Sequence, residues 1–258
     1  MHSVRTFLAG VFCAFNVVSA AAADPQDETP GRSVVDVEAV LDRVEARGRT
    51  VNDLKCRVIY TMEDRVTADV TRREGEILFK RETPNPRFFI SFDKTIQDGI
   101  ASPSRYWYLF DGRWFHEANQ KTKSIIKRDI APPGTEIDLF SIDNAPFPIP
   151  FGQRKDQILK HFEVSPGDGA AGAPPDTDHL ICIPRESSRL AAQYSRMEFF
   201  VSRTVDLPVR TVMVSRDGAS VTRADFPDLS ADSINRGLDE LSFRLPLETS
   251  GYAVSVEK

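Results

Sequence analysis

Two periods divide this chain. Val34, Val37, Val40, Leu41 and Val44 recur three or four residues apart and predict an amphipathic helix ending at Gly48. Ser33 and Asp36 stand where a capping box opens a helix, and Glu38, Asp42, Arg43, Glu45 and Arg47 make its outer face charged. From Leu54 the period is two. Leu54, Cys56, Val58, Tyr60 and Met62 alternate with Lys55, Arg57 and Thr61, which predicts a long strand with one apolar face. Val66, Ala68 and Val70 alternate with Thr67, Asp69 and Thr71, and strands are expected again over 75–80 and 87–93, with Pro84 and Pro86 confined to a turn. Residues 106–110 and 113–117 flank Asp111-Gly112, a strong hairpin signal, and a short strand follows near 123–127.

The middle of the chain breaks this rhythm. Ala131-Pro132-Pro133-Gly134 and Pro146-Phe147-Pro148-Ile149-Pro150-Phe151 bracket an apolar, proline-rich passage that no central strand accommodates. A short helix is expected over 153–162, with Ile158, Leu159 and Phe162 on one side, then a Gly-, Ala-, Pro- and Asp-rich surface loop over 166–178. Strands resume over 179–184, 196–202, 208–215 and 220–224, the last two joined by an Asp217-Gly218 turn. Leu241 to Leu245 reads as the last strand before a short tail. Hairpins follow one another without alternating βαβ units, so the expected sheet is an antiparallel meander.

The N-terminus has its own pattern. Arg5 lies in a short leading segment, 7–18 is a twelve-residue stretch dominated by apolar side chains, and Ala21-Ala22-Ala23 precedes the polar Asp24-Pro25-Gln26. That is the order of a secretory signal peptide over 1–23. Twelve residues rise about 18 Å as a helix, short of the roughly 30 Å of a bilayer core, so cleavage is expected rather than anchoring. Residues 24–33 then read as a flexible leader and 34–258 as a single domain exported to the periplasm.

Composition narrows the partners. The full chain carries a formal charge of −5, with 33 Lys and Arg against 38 Asp and Glu, which argues against nucleic acid. Only Cys56 and Cys182 lie beyond the leader, both in apolar strand patterns; pairing and buried free thiols both remain open, and their spacing matches no metal site. His116, His161 and His179 form no metal-ligand spacing, and neither a nucleophile elbow nor a phosphate-binding loop is present. His116 is expected at the surface. The balance favours a binding protein over an enzyme, with no metal and no cofactor. Seventeen phenylalanines against five tyrosines and two tryptophans suit surfaces that stay apolar throughout, whether a filled core or a lipid-binding cleft.

Several segments together resemble the LolA-like outer-membrane lipoprotein carrier family. Gly75-Glu76-Ile77-Leu78-Phe79-Lys80-Arg81 is similar to its G-x-L-x-x-K-R segment and leads into Pro84 to Phe92, similar to its Pro-x-x-Phe strand. Residues 106–115 resemble its Asp-Gly hairpin, and 206–218 with 238–246 resemble its closing strands. Glu82 and Thr83 depart from the pattern by separating Arg81 from Pro84, and the 166–178 loop is longer than the family suggests. The resemblance implies a mainly β fold: a half-open, strongly curved antiparallel β-barrel closed by a helical lid, with an apolar cavity between the two. It implies cavity walls from Leu54, Val58, Tyr60, Phe79, Phe88, Ile90 and Phe92, a lid from Val37, Val40, Leu41, Val44, Phe147, Ile149 and Phe151, and Arg81 as the lid latch. The implied function is a monomeric periplasmic carrier, a chaperone for lipoprotein transport, that shields acyl chains on their way to the outer membrane. Its partners would be an acylated lipoprotein or lipid, an inner-membrane lipoprotein-releasing transporter and an outer-membrane receptor. A non-carrier sensor or regulatory module that binds lipid or protein on the same scaffold is the alternative.

Overall fold

A computed structural model describes residues 35–134, 151–169 and 172–257. The expected signal peptide and leader, Phe147 and Ile149 lie outside them. The described chain opens with helix α1 (Val37–Thr50), whose start is set by the Asp36 carboxylate accepting from the Ala39 amide at 3.2 Å. Seven strands follow: β1 (Asp53–Asp64), β2 (Val70–Lys80), β3 (Arg87–Gln97), β4 (Ile100–Ser102), β5 (Tyr106–Phe110), β6 (Trp114–Asn119) and β7 (Ser124–Asp129). Beyond the proline-rich crossing come α2 (Lys155–His161), β8 (Phe162–Pro166), β9 (Thr177–Pro184), β10 (Tyr194–Ser202), β11 (Pro208–Ser215), β12 (Ser220–Asp225) and β13 (Ala253–Glu257).

All strands join one sheet in the order β13-β7-β6-β5-β3-β2-β1-β12-β11-β10-β9-β8, with β4 paired to β3. The central event is the pairing of β1 with β12, which brings the two meanders together across about 160 residues of sequence. The sheet does not close into a complete barrel; β13 and β8 are its two edges. The pairings are antiparallel except that of β13 with β7. The architecture is the expected one in class: mainly β, one wide and largely antiparallel sheet that stays open, with a helix laid on one face.

Both faces are dry in the middle of the sheet. On one face Leu54, Cys56, Val58, Ile77, Phe79, Phe88, Ile90, Phe92, Phe110 and Phe115 join a single buried cluster. On the other, Leu78, Phe89, Trp107, Leu109, Ala118 and Ile125 gather around Phe243, with Leu238, Leu245 and Tyr252 packed against them. Phenylalanine is therefore used on both sides of β3, and Phe88-Phe89-Ile90 reads as a continuous apolar run because the strand is covered twice.

Three local expectations are corrected. Residues 66–69 are not strand: the Asp64 carboxylate accepts from the amides of Val66 and Thr67 at 2.8 and 3.1 Å and folds the chain into a turn, so one long β1–β2 hairpin replaces two strand segments. Residues 241–245 do not form a strand. Asp239 caps a 3₁₀ turn over Glu240–Ser242, leaving Leu241 in solvent and sending Phe243 into the outer core. The expected tail instead contains strand β13, held to β7 by backbone pairing and by the Arg128–Glu257 ion pair at 2.7 Å.

The Asp-Gly hairpin is more than a turn. Asp111 accepts from the amides of Arg113 and Trp114 at 3.0 and 2.8 Å and lies 3.1 Å from His116 Nε2. His116 is thus buried, contrary to its expected surface position. Burial pushes the Asp111 carboxyl up, but His116 and the two amides outweigh it and hold the group at about 2, below its ordinary 3.8. A carboxylate depressed on folding stabilises the native state above its unfolded pKa and loses that contribution as pH falls from about 4 toward 2. Replacing Asp111 by Asn is expected to remove on the order of 1 kcal/mol at pH 7, after allowance for solvent screening, and to flatten the acid limb of stability. Urea unfolding at pH 6 and pH 2.5 measures this; equal pH slopes in the two proteins would contradict it.

Candidate functional site

The face shared by Leu54, Phe79 and Phe88 is ordered in rows because the register aligns side chains across neighbouring strands. The first row runs Leu54, Phe79, Phe88, Phe110, Phe115 across β1, β2, β3, β5 and β6. The second runs Cys56, Ile77, Ile90, Tyr108, Glu117, and the third Val58, Gly75, Phe92, Tyr106, Asn119. The fourth begins Tyr60, Arg73, Thr95. The face is dry at one end of the strands and becomes aromatic, then polar, toward the other.

Of the expected wall residues, Leu54, Val58, Phe79, Phe88, Ile90 and Phe92 are fully buried and share this cluster, while Tyr60 is half-buried at its rim. Phe88 lies 6.0 Å from both Phe110 and Phe115, ring to ring, and Phe92 meets Tyr108 edge-on at 6.2 Å. Gly75 fits the third row because β2 approaches β3 closely at a bulge; a Cβ there would lie 1.9 Å from the Ser91 carbonyl oxygen.

The expected lid residues divide. Phe151 belongs to the wall cluster and meets Phe226 at 4.9 Å, ring to ring. Val40, Leu41 and Val44 do not join it. With Val37 at their margin they pack on Ile158, Phe162, Leu180, Cys182, Met197, Val201 and Met213, on α2 and strands β8–β11. The reason is reach: fourteen helical residues span about 21 Å, the width of roughly four strands, so α1 covers one part of the sheet and not its whole width. Below it lies an apolar cavity of about 20 Å³ lined by Leu41, Val44, Ile158, Phe162, Leu180 and Cys182, room for one water at most. Open clefts of about 580 and 620 Å³ elsewhere are lined largely by charged side chains and offer no dry wall.

Polar contacts fix α1 at two places. Midway along it, Arg43 meets Asp178 at 2.6 Å and Asp206 at 3.0 Å, and Asp178 also binds Arg203 at 2.7 Å. Lys155, at the start of α2, reaches Glu38 at 2.5 Å and Asp42 at 2.7 Å. Burial pushes the Asp178 carboxyl up, yet Arg203 and Arg43 outweigh it and hold it below the usual carboxylate range. At the C-terminal end Arg81 donates from its guanidinium to the Gly48 carbonyl at 2.9 Å and the Val51 carbonyl at 3.1 Å, and Asn235 donates to the Thr50 carbonyl at 2.9 Å. Gly48 and Thr50 lie in the last turn, where carbonyls lack the usual helical partner, and the Gly48 carbonyl also accepts from the Val51 amide at 3.3 Å. Gly48 lets the helix lie against Gly152, whose Cα would be 2.7 Å from an added Cβ. Glu82, one of the two residues that depart from the family pattern, pairs with Lys80 at 3.2 Å and Arg87 at 2.8 Å, so the longer connection is braced.

Sequence reasoning did not identify Arg43, Asp178 or Asn235 as anchors, because the Arg43–Asp178 and Asn235–Thr50 contacts join residues 135 and 185 positions apart. Two histidine–carboxylate pairs, His116–Asp111 and His179–Glu198 at 2.9 Å, point away from the rows, and His179 stacks on Phe200 at 4.2 Å. No group of three metal-ligating side chains occurs among the described residues. No helix among them is long and apolar enough to cross a membrane.

No protein-family model matches the chain, and no curated protein sequence matches it. Several solved structures are similar. A conserved protein from Thermus thermophilus is 12% identical, with a TM-score of 0.49, over 85% of this chain and 98% of that one. The MucA/MucB complex of Pseudomonas aeruginosa matches at 14% identity and a TM-score of 0.39, over 79% of this chain and 62% of that one. A LolA superfamily protein from Nitrosomonas europaea matches at 12% identity and a TM-score of 0.36, over 82% and 98%. At these levels the likenesses say nothing of what this chain binds.

Cys56 and Cys182 are free and buried, Cys56 in the second row of the wall and Cys182 under α1. Burial pushes both thiols up, that of Cys182 to about 12. A thiol without accessible thiolate does not attack a disulfide reagent. Native protein is expected to react with Ellman's reagent at less than about a hundredth of the rate seen in 6 M guanidinium; rapid native labelling of Cys182 would show that α1 opens readily.

Proposed function

We propose that this protein is an exported, non-enzymatic carrier that holds the acyl chains of a lipoprotein or lipid between the sheet and its cover, delivering them through the periplasm toward the outer membrane. An inner-membrane releasing transporter would load it and an outer-membrane receptor would unload it. The observation that carries this reading is the five-strand row Leu54–Phe79–Phe88–Phe110–Phe115: an unbroken apolar wall, beside a helix whose anchors are polar.

Magnitudes favour reversible opening. Burying an acyl chain is worth about 0.8 kcal/mol per CH₂, so sixteen carbons contribute about 12 kcal/mol. Each hydrogen bond from Arg81 is worth a net ~0.5–3 kcal/mol, while Arg43, which shares the nearly buried Asp178 with Arg203, is the costlier contact to break. A chain that enters can displace these contacts; the contacts can close the sheet again when it leaves. Arg81 acts where α1 joins β1, so its role in this reading is to set the angle at the hinge, while Arg43 and Lys155 hold the part of the helix that swings.

Native mass spectrometry of protein purified from the periplasm is expected to show co-purifying lipid or lipoprotein, and purified protein is expected to bind an apolar dye saturably. Phe88→Glu places an ionised group on the wall, at a desolvation cost large enough to abolish dye binding in a protein that still folds. Unchanged binding in that variant would remove Phe88 from the site, and no lipid or dye binding by the wild type would overturn the carrier reading.

Arg81→Leu is expected to keep the fold, raise hydrogen exchange in α1 by about tenfold, the equivalent of about 1.4 kcal/mol, and slow transfer of acyl cargo to an acceptor. Identical exchange and transfer in both proteins would reduce Arg81 to a side chain at a strand end.

A further inference from the structure

Followed along β2, the face that begins at Phe79 reaches a cation. Arg73 occupies the same face of β2 as Phe79, six residues along, or about 20 Å from it. Its guanidinium carbon lies 4.0 Å from the centre of the Tyr106 ring, and its Nη1 donates to the Tyr108 hydroxyl at 3.2 Å. Its Nε is buried and has no hydrogen-bond partner. Among the described residues no carboxylate pairs with it. The nearby acids are taken: Glu74 by Arg72 at 2.9 Å, and Glu117, opposite Tyr108 in the second row, by Arg128 at 3.1 Å.

A half-buried guanidinium held only by an aromatic face and a neutral hydroxyl is under-compensated. A cation–π contact supplies about 0.5–2 kcal/mol, less than a carboxylate or phosphate would. The planar fork of Arg73 suits two oxygens of one anion, and the unpaired Nε supplies a donor for one of them. Tyr60 and Tyr106 flank it with the amphipathic rings expected where an apolar channel meets water.

We infer that Arg73, with Tyr106 and Tyr108, is a headgroup site for an anionic amphiphile, binding a terminal carboxylate or phosphate whose acyl tail runs along the apolar rows toward Phe79 and Phe88. The inference rests on the carrier reading for the tail and adds to it the charge of the head. It makes the site selective: a neutral chain of equal length gains the wall and forfeits the fork.

The test uses three ligands with one tail, dodecanoate, dodecyl phosphate and dodecanol, each displacing a neutral apolar dye from wild type, Arg73→Gln and Arg73→Lys, with folding checked by circular dichroism. Wild type is expected to bind at least one of the two anions about tenfold more tightly than the alcohol, about 1.4 kcal/mol. Whichever anion binds best identifies the headgroup chemistry. Arg73→Gln is expected to lose that preference while keeping its affinity for dodecanol, and Arg73→Lys, which retains the charge without the fork, to keep part of it. Equal binding of all three ligands by wild type, or an equal fall for anions and alcohol in Arg73→Gln, would overturn the headgroup site and leave the carrier reading intact. Failure of every ligand to bind would overturn both.

Discussion

Water has to be kept off two faces of one wide sheet, and the rest of the structure follows from how unequally this is done. The face bearing Leu78, Phe89 and Trp107 is covered by the chain's own C-terminal segment, anchored by Phe243 at 2% exposure. That cover is apolar against apolar and continuous in sequence with β12, so lifting it would expose Trp107, Phe89, Leu109 and Phe243 at once. The opposite face is covered piecemeal: α1 over β8–β11, and Phe151, Phe226, Leu229 and Ile234 over the rows of β1–β6. Where cover is assembled from separate short pieces, each piece opens at a fraction of the cost of global unfolding.

The anchors of α1 show the same inequality. Its apolar stripe of Val40, Leu41 and Val44 is narrow, and Arg43, Lys155 and Arg81 add polar contacts around it rather than more hydrophobic area. Asp178 is the most committed of these groups, because two arginines converge on a carboxylate that is nearly removed from water. Removing one partner leaves a buried charge with half its compensation, which is costlier than losing a surface pair. Hydrogen bonds to Gly48, Thr50 and Val51 behave differently: they satisfy carbonyls that water would satisfy equally well on opening. The helix is therefore held firmly at its middle and lightly at its hinge.

Local chemistry was legible in the sequence and long-range partnership was not. Period-two stretches and the Asp111-Gly112 and Asp217-Gly218 turns mark the hairpins because turn geometry and alternation act over a few residues. That Leu54 to Phe92 share one face of three consecutive strands was legible from alternation alone, although the β1–β2 turn itself was read as strand. The assignment of α1 to β8–β11 was not, since it depends on β1 pairing with β12, and nothing in either strand alone names the other. Leu241–Leu245 misled because alternation over five residues also fits a capped 3₁₀ turn that buries only Phe243. Arg73 was invisible as a site residue: in sequence it is one half of an Arg-Arg pair in a charged strand end, and only the register separates it from Arg72, which faces the other way and finds Glu74.

That separation of two adjacent arginines bears on what the face of Phe79 and Phe88 is for. A filled core gains from being apolar to its edge, and polar residues at its rim are ordinarily paired with one another, as Glu117 and Arg128 are. Here the gradient from Phe79 through Ile77 and Gly75 to Arg73 runs along a single strand, and its last member keeps an unpaired donor. Selection for stability alone would place a carboxylate or an aliphatic residue at one of the neighbouring positions, at little cost to the sheet. A surface that must accept and surrender an amphiphile has the opposite requirement: dry wall for the tail, uncommitted charge for the head, and covers that release before the sheet does. The residues of β2, read in order, meet the first two conditions, and the piecemeal cover of Phe151, Phe226, Leu229 and Ile234 over these rows meets the third.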